Sequence, residues 1–525
     1  MLLQKTIKNF TQNPKNDILS GLTVALALVP EAVAFAFVAG IDPLVGLYGA
    51  FMMGIVTALF GGRPGMISGA TGAMAVVMVF LIQKGNQVGD ALSVPIENLG
   101  LQWLFITLLI VGAIQISAGI FKLGKFVRLI PHPVMMGFVN GLAIVIFLSQ
   151  LGLFKENING EMQWMSGDNL WMMLGLVCLT MAIMYGLPKL TKKIPAALIA
   201  IVIVAAIVIF GNIEVSTVGS FIKDGGGEGL QGGLPSFQDQ IFTLFYTLKG
   251  HWGLIGSTAL ILAAVGLIES LMTLNLIDDM TETRGSGNRE CVAQGGANIL
   301  NGLFGGMGGC AMIGQSIINI NSGGRGRLSG ATAAIALLCF VLFGAPLIEQ
   351  IPIAALVGVM FMVVIGTFAW SSFRILHKIP RTDAVVLIAV SAITVWQDLA
   401  IAVIAGVIMS ALSFAWKSAT MIRARKRTKE DGTKVYEIWG PLFFGSTTGF
   451  NSKFEVSTDP SHVEIDFIES KVGDHSGVEA LHNISNKYLE AGKKVTLTHL
   501  SPDCKAMLLK WNPEFKTIIK DAIDD

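Results

Sequence analysis

Residues 61–74, GGRPGMISGATGAM, and residues 302–314, GLFGGMGGCAMIG, are glycine-rich breaks that each lead into a short apolar segment. The segments that follow, 70–84 and 312–321, are shorter than the roughly 20 residues that a helix needs to cross a bilayer. Glycine weakens helix formation and lets two backbones approach closely. The two breaks therefore predict two interrupted helices that begin inside a membrane domain.

The composition around these breaks is that of a polytopic α-helical membrane protein. Of the 525 residues, 53% are hydrophobic and only 14% are charged, against roughly 25% charged residues in soluble proteins. The net charge of +1 gives no indication of a nucleic-acid partner, and none is expected. The five cysteines have no paired spacing, so we expect neither a disulfide framework nor a metal site built on them. Fourteen membrane segments are predicted, at 18–39, 42–60, 70–84, 101–122, 131–154, 169–187, 195–214, 252–277, 289–306, 312–321, 328–347, 351–371, 383–399 and 400–417.

The distribution of basic residues predicts the orientation of these segments, because cytoplasmic loops carry an excess of Lys and Arg. With residues 1–17 placed in the cytoplasm, seventeen basic residues fall inside and four outside. The inner set is Lys5, Lys8, Lys15, Arg63, Lys122, Lys125, Arg128, Lys189, Lys192, Lys193, Arg284, Arg289, Arg325, Arg327, Arg374, Lys378 and Arg381; the outer set is Lys84, Lys155, Lys223 and Lys249. This asymmetry predicts a bacterial inner (plasma) membrane protein with both termini in the cytoplasm.

The interrupted segments are third and tenth of fourteen, which is the same position in two halves of seven. Short, glycine-broken segments at matching positions in two halves indicate the midplane site of a transporter. Each helix start there offers unpaired N–H groups and about half a positive charge, which suits an anion. The alternative is that these glycines only allow close helix packing. The predicted anion-binding residues are Thr71, Gly72, Ala311, Met312, Ile313, Gly314 and Gln315.

Two carboxylates, Glu31 and Glu269, lie deep inside predicted membrane segments. Ionisable residues at such depth are costly and mark functional sites. Glu269, with Thr273 one helical turn later, is predicted to bind a proton or a Na⁺ ion that accompanies the anion. Glu31 follows Pro30, so it could serve the same purpose or satisfy a local break in the first helix. No other metal, no cofactor and no catalytic residue is predicted.

The chain after the last segment has a different composition. Residues 18–417 are predicted to form the transport domain, 418–430 a basic linker beside anionic lipid, and 431–525 a cytoplasmic α/β domain. Strands are predicted on both sides of the Gly440-Pro441 turn, at 463–467 and at 493–500. Helices are predicted at 476–492 and 504–511. Alternating strands and helices are typical of a small α/β domain.

Several of these stretches resemble the sulfate permease family of anion transporters. The resemblance rests on PEAVAF (30–35), GLYGAF (46–51), SGATGAMAVV (68–77), IESLMTLNLIDD (268–279) and the 302–325 region that ends in SGGR. It implies two inverted seven-segment repeats arranged as core and gate domains, elevator-like transport and a homodimer. It also implies an anion site at Thr71, Met312 and Ile313, with the coupling carboxylate at Glu269.

The tail is similar to a STAS domain, through GPLFFGS (440–446), VEIDF (463–467) and DHSGVEAL (474–481). Ser476 falls where some relatives carry a phosphorylated serine. A simpler interpretation is that Ser476 caps the helix that follows.

The predicted function is secondary active transport of a small inorganic anion. Many sulfate-carrying members have Arg at the position of Gln315, so its absence favours a monovalent anion. The 305–330 stretch, from GGMGG to SGGRGRLSG, also resembles the sodium-dependent bicarbonate branch of the family most closely. That branch typically has Asp at the position of Glu269 and Thr at that of Ile313, and Glu resembles proton-coupled members. Bicarbonate symport with Na⁺ or H⁺ is therefore the first candidate. Proton-coupled transport of sulfate, another oxyanion or a dicarboxylate, and an uncoupled channel or exchanger, are the alternatives. An enzyme is not expected, because the sequence contains neither HExxH nor a P-loop.

Overall fold

The computed structural model describes residues 13–92, 95–125, 131–158, 161–190, 196–224, 233–396 and 399–520. The chain divides into two compact units, Met1–Val407 and Ile408–Asp525. The first unit is helical, and the second contains a four-stranded sheet. The predicted combination of a helical membrane protein and a small α/β domain is confirmed.

Each predicted membrane segment coincides with one helix among the described residues. In chain order these helices are α1 Pro14–Ala39, α2 Pro43–Phe60, α3 Gly72–Asp90, α4 Leu99–Ile120, α5 His132–Gln150, α6 Gly167–Leu190, α7 Ala196–Phe210, α8 Trp252–Thr281, α9 Gly287–Phe304, α10 Ile313–Asn321, α11 Arg327–Glu349, α12 Ile353–Thr367, α13 Arg381–Trp396 and α14 Leu399–Thr420. Within the described ranges, eight helices are long and apolar enough to cross a membrane: α1, α2, α4, α5, α6, α8, α11 and α12. A short hairpin, β2 Lys155–Ile158 with β3 Glu161–Trp164, precedes α6.

The two interrupted segments differ in length. Helix α10 has 9 residues, as the sequence predicts, whereas α3 has 19 residues and continues past Lys84 to Asp90. The predicted end of the third segment at residue 84 was therefore wrong, although α3 is not among the eight described helices that are long and apolar enough to cross a membrane. The predicted segment ends at residue 84 because the apolar run ends there. The more polar residues that follow, up to Asp90, nevertheless remain helical. Both helices follow a three-residue strand, β1 Ser68–Ala70 before α3 and β4 Gly309–Ala311 before α10.

Helix contacts repeat between the two halves of the membrane unit. Helix α1 packs against α11, and its counterpart α8 packs against α4. In the same way α2 packs against α11 and α9 against α4, while α5 packs against α13 and α12 against α6. Adding seven to each helix number in the first half and subtracting seven from each in the second converts one set of contacts into the other. The fold is thus built from two repeats of seven segments.

The second unit is a sheet in the order β5-β6-β7-β8, from β5 Arg423–Thr428, β6 Lys434–Trp439, β7 His462–Glu469 and β8 Lys494–Thr498. Strand β5 is antiparallel to β6, and the remaining pairs are parallel. Helices α15 His475–Glu490 and α16 Pro502–Trp511 contribute to one apolar core, which includes the fully buried Tyr436 and Tyr488. The predicted strands at 463–467 and 493–500 and both predicted helices are present.

Three details of the second unit differ from the sequence expectations. Residues 418–430 were expected to be a basic linker, but they contain the end of α14 and the edge strand β5. The basic side chains of β5 are mostly exposed, and its backbone pairs with β6. No second strand follows the Gly440-Pro441 turn, where Leu442 makes only a single bridge to Val472. The cap of α15 is Asp474, whose side chain accepts from the Gly477 N–H at 2.9 Å, rather than Ser476.

Asp459 joins three elements of this unit through its buried carboxylate. It accepts hydrogen bonds from Lys434, Tyr436 and Tyr488. Burial opposes its ionisation, but these three donors outweigh that effect and lower the pKa of Asp459 below its ordinary value. The carboxylate therefore stabilises the fold in its ionised form.

Candidate functional site

The site is organised by an antiparallel ladder between the two interrupted segments. Strands β1 and β4 pair with Ser68 opposite Ala311, Gly69 opposite Cys310 and Ala70 opposite Gly309. The Met312 N–H extends the ladder by donating to the Ile67 carbonyl at 2.9 Å. A Cβ at Gly309 would lie 2.8 Å from the Gly69 carbonyl carbon, so this crossing requires glycine. The packing interpretation of the glycines is therefore correct at this position.

Each strand leads directly into a helix whose first turn has free donors. Thr71 and Met312 are the extended cap residues of α3 and α10, and neither side chain bonds to the first turn. Among the described residues, the N–H groups of 72–74 and 313–315 donate to no hydrogen bond. Both helix starts therefore keep the donors and the partial positive charge that an anion requires.

A cavity of about 350 Å³ lies at these helix starts. Its lining contains eight of the ten predicted site residues: Glu31, Thr71, Gly72, Glu269, Met312, Ile313, Gly314 and Gln315. A Cβ at Gly314 would meet no atom within 4 Å, so this glycine opens towards space rather than towards a neighbouring helix. The structure thus brings together most of the residues that the sequence pattern selected.

Ala311 and Thr273 are the two predicted site residues outside this lining. Ala311 is fully buried in β4, and its N–H donates to the Ser270 hydroxyl at 3.0 Å. The Thr273 hydroxyl donates to the Glu269 carbonyl at 2.8 Å, within α8. These donors already have partners in the protein, so both residues stabilise the structure around the cavity rather than contact its contents.

The two deep carboxylates each accept a hydrogen bond from α10 or the strand before it. The Gln315 amide donates to Glu31. The Cys310 thiol donates to Glu269, with Sγ and Oε2 2.9 Å apart. The Cys310 sulfur also lies 3.2 Å from the Thr71 hydroxyl. Both donors belong to the second repeat, so the bond to Glu31 on α1 joins the two repeats, whereas the bond to Glu269 on α8 lies within one repeat.

Cys310 is a site residue that the sequence analysis did not select. Its position beside the predicted residues was a signal, but a buried cysteine usually behaves as a small apolar residue. Part of the cavity wall on two further helices was missed as well. It consists of Phe138, Val139, Leu142 and Ile146 on α5, with Val363, Gly366 and Thr367 near the end of α12. Apolar residues in a membrane helix carry no sequence signal that separates a cavity wall from a lipid face.

A polar frame fixes β4 from the side opposite the cavity. The Asn298 amide donates to the Gly309 carbonyl at 3.1 Å and accepts from the Gly309 N–H at 3.0 Å. The Gln294 amide donates to the Ser68 hydroxyl at 2.8 Å and to the Glu290 carboxylate at 2.7 Å. Backbone polar groups inside a bilayer must be satisfied by protein partners. Helix α9 thus holds the ladder in place.

The charged groups that line the cavity are both acidic. Among the described residues, Glu31 and Glu269 are the ionisable ones in the lining, which includes no Lys, Arg or His. In the part of the chain that the structure describes, no group of three or more His, Cys, Asp or Glu side chains is arranged to hold a metal ion. An anion in this cavity would be bound by backbone donors, hydroxyl groups and the Gln315 amide.

Comparison with known proteins assigns both parts of the chain. The model of the sulfate permease family matches residues 15–390, and that of the STAS domain matches residues 424–521. The "Putative sulfate transporter YbaR" of Bacillus subtilis (strain 168) is 40% identical over 499 residues, covering 94% of this chain and 96% of the relative. The "Bicarbonate transporter BicA" of a Synechocystis strain is 30% identical over 524 residues, covering 94% and 89%.

Solved structures agree with this assignment. The transmembrane domain of a cyanobacterial bicarbonate transporter BicA is 31% identical and superposes with a TM-score of 0.63, covering 75% of this chain and 98% of that chain. Murine Slc26a9 in its inward-facing state has a TM-score of 0.79 at 16% identity, covering 99% and 93%, and so supports the fold alone. The chain therefore belongs to the sulfate permease family of anion transporters and carries a C-terminal STAS domain.

Proposed function

We propose that this protein is a secondary active transporter that carries bicarbonate together with a cation, Na⁺ or H⁺. One observation carries the proposal. Two helix starts with free N–H donors meet two carboxylates in one cavity, and the described residues that line it include no basic side chain. The helix starts supply the anion site, and the carboxylates supply the cation site.

The charge available for the anion favours a monovalent ion. Each helix start contributes about half a positive charge, so the two together supply roughly one. A divalent anion would leave about one negative charge uncompensated beside Glu31 and Glu269. The cavity of about 350 Å³ also leaves space for water around a small anion. The name of BicA, a relative across nearly the whole chain, supports the same anion.

The carboxylates provide the reason for coupling. An ionised Glu269 repels an anion that enters the same cavity, because charges are poorly screened in a low-dielectric site. A proton or Na⁺ bound at Glu269 removes part of that repulsion. Cation and anion then stabilise each other's binding, which is the thermodynamic requirement for symport.

The two walls of the cavity support an elevator mechanism. Both helix starts and both carboxylates lie on α1, α3, α8 and α10, whereas the lining residues contributed by α5 and α12 are mostly apolar. An apolar wall makes few directional bonds, so the ion-binding wall can move along it at low cost. We further propose a homodimer in a bacterial inner membrane with both termini in the cytoplasm.

The test is uptake into proteoliposomes that contain the purified protein. Labelled bicarbonate and labelled sulfate are each supplied under a Na⁺ gradient at equal pH and under a pH gradient at equal Na⁺. We expect saturable bicarbonate uptake that is driven by one of the two gradients. Uptake that neither saturates nor shows trans-stimulation would indicate a channel and contradict the proposal.

Glu269→Gln tests the coupling carboxylate in the same assay. We expect it to abolish gradient-driven accumulation and to leave anion exchange in place, because the amide cannot bind a proton or replace the charge. Asp279→Asn is the matched control, since Asp279 is an exposed carboxylate near the end of the same helix. Unchanged accumulation by Glu269→Gln would exclude Glu269 as the coupling residue.

Proton-coupled sulfate transport is the second candidate. It is favoured by the relative with 40% identity, whose name gives sulfate as the substrate. Saturable sulfate uptake driven by the pH gradient, without bicarbonate uptake, would establish this candidate instead.

A further inference from the structure

The Cys310 side chain forms a link between the two ion sites. Its fully buried thiol donates to Glu269 Oε2 at 2.9 Å, and its sulfur lies 3.2 Å from the Thr71 hydroxyl. The ladder fixes this position, because Cys310 pairs with Gly69 two residues before Thr71. One thiol thus contacts both the carboxylate of the cation site and the hydroxyl at the start of α3.

The hydrogen count of this link sets its direction. A thiol has one hydrogen, which here points to Glu269, so the sulfur can only accept from Thr71. The Thr71 hydrogen is then directed to sulfur and away from the cavity. When a proton or Na⁺ occupies Glu269, the carboxylate no longer requires the thiol hydrogen. The thiol can then donate to the Thr71 oxygen, which frees the Thr71 hydrogen for an anion.

We propose that Cys310 is a positioning residue that transmits the occupancy of Glu269 to the Thr71 hydroxyl, so that cation binding strengthens anion binding. No covalent bond changes, and each side chain keeps its own proton throughout. The inference rests on the proposed function, in which Glu269 binds the cation and Thr71 contacts the anion. It adds the physical connection between them.

The other carboxylate of the cavity has no equivalent link. Glu31 accepts from the Gln315 amide, which keeps its hydrogens whichever partner it has. Glu31 and Glu269 are the ionisable residues in the described lining, and Cys310 is the ionisable group in contact with Glu269. The switch is therefore assigned to the Glu269 side.

The test measures the apparent KM for the anion at low and at saturating concentrations of the coupling cation. The probe is labelled bicarbonate in proteoliposomes, with labelled sulfate as the second probe, and Na⁺ and pH are varied separately. In Cys310→Ala the Thr71 hydroxyl has no sulfur to donate to and is free at all times. We expect KM at low cation to fall about fivefold, the value of one hydrogen bond, and KM at saturating cation to stay within about twofold.

This result differs from that of simple damage, which would raise KM under both conditions. Cys310→Ser keeps one donor and one acceptor, so it should preserve the cation dependence. Cys291→Ala is the matched control, because Cys291 is a buried cysteine on α9, whereas the thiol that contacts Glu269 and Thr71 is that of Cys310. In a Thr71→Val background, Cys310→Ala should no longer change KM at low cation, as expected for two residues on one path.

The proposal is overturned if Cys310→Ala leaves KM unchanged or raises it under both conditions, or if Cys310→Ser loses the cation dependence. Should Cys310→Ala fail to assemble, Cys310→Val removes the donor at a similar volume and is read in the same way. Failure of the proposed function is seen separately. It would appear as cation-driven uptake that persists in Glu269→Gln, whatever the cysteine variants do.

Discussion

Replacement of Gly309 by alanine should separate the two helix starts and weaken anion binding. A Cβ at Gly309 would lie 2.8 Å from the Gly69 carbonyl carbon and 2.9 Å from Met53 Cγ. Non-bonded carbon atoms prefer about 3.5–4.0 Å, so β1 and β4 must move apart by roughly 1 Å. Such overpacking costs about 1–3 kcal/mol of stability. The displaced first turn loses roughly one hydrogen bond to a charged ligand, which is worth about 1.5–3 kcal/mol, so KM for the anion should rise at least about tenfold.

The assay combines KM for labelled anion uptake with the midpoint of thermal unfolding in detergent. Gly296→Ala is the control, because a Cβ at Gly296 on α9 meets nothing within 4 Å. It should leave KM unchanged and raise stability slightly, since alanine favours helix over glycine. The ladder does not set the spacing of the helix starts if Gly309→Ala has a KM within about twofold of the parent value and the same unfolding midpoint as the Gly296→Ala control.

Three further predictions concern the Thr71 hydroxyl, the Asp459 carboxylate and the C-terminal unit. Thr71→Val should raise KM for the anion about fivefold, the loss of one hydrogen bond, as measured in uptake at saturating cation; an unchanged KM would exclude a hydroxyl contact. Asp459→Asn should destabilise the second unit by about 2 kcal/mol, because charged hydrogen bonds are lost, as measured by hydrogen exchange of β6 and β7 in the full chain. Because the pKa of Asp459 is lowered on folding, the stabilisation by its ionised carboxylate is complete above the ordinary Asp pKa of about 4 and is lost as pH falls below it. Equal stability of variant and parent at pH 7 would contradict the assignment. Removal of residues 421–525 should leave anion binding by the membrane unit intact, and a truncated protein in liposomes that binds no anion would make the tail part of the transport mechanism.

The helical architecture follows from the sequence for a simple physical reason. A bilayer requires long apolar segments with internally satisfied backbones, so hydropathy alone finds α1, α4, α8 and similar helices. The two breaks are also visible, because glycine clusters are uncommon inside such segments. Hydropathy misplaces a helix end where polar residues continue the helix. Helix α3 is an example, because it continues six residues beyond its predicted end at 84.

The candidate site was predictable to the extent that its residues are chemically unusual for their location. Glu31 and Glu269 are carboxylates in apolar helices, and Gly314 follows a glycine-rich break, so each has a sequence signal. Cys310 has only its position beside the predicted residues as a signal, because its role depends on two partners, Thr71 and Glu269, that are 239 and 41 residues away in the chain. The capping of α15 by Asp474 instead of Ser476 shows the same limit at shorter range, since the backbone decides which side chain reaches the first turn.

The sequence by itself determined that this protein is a two-part membrane transporter with paired helix breaks and two deep carboxylates. Local composition and spacing are sufficient for those features, because the bilayer requires apolar segments, and glycine breaks or carboxylates inside such segments are recognisable as exceptions. Only the tertiary structure decided which atoms meet: the Gly309–Gly69 crossing, the bond from Gln315 to Glu31, and the thiol between Thr71 and Glu269. Those contacts join residues far apart in the chain, and only close packing of the two repeats brings them within hydrogen-bond distance.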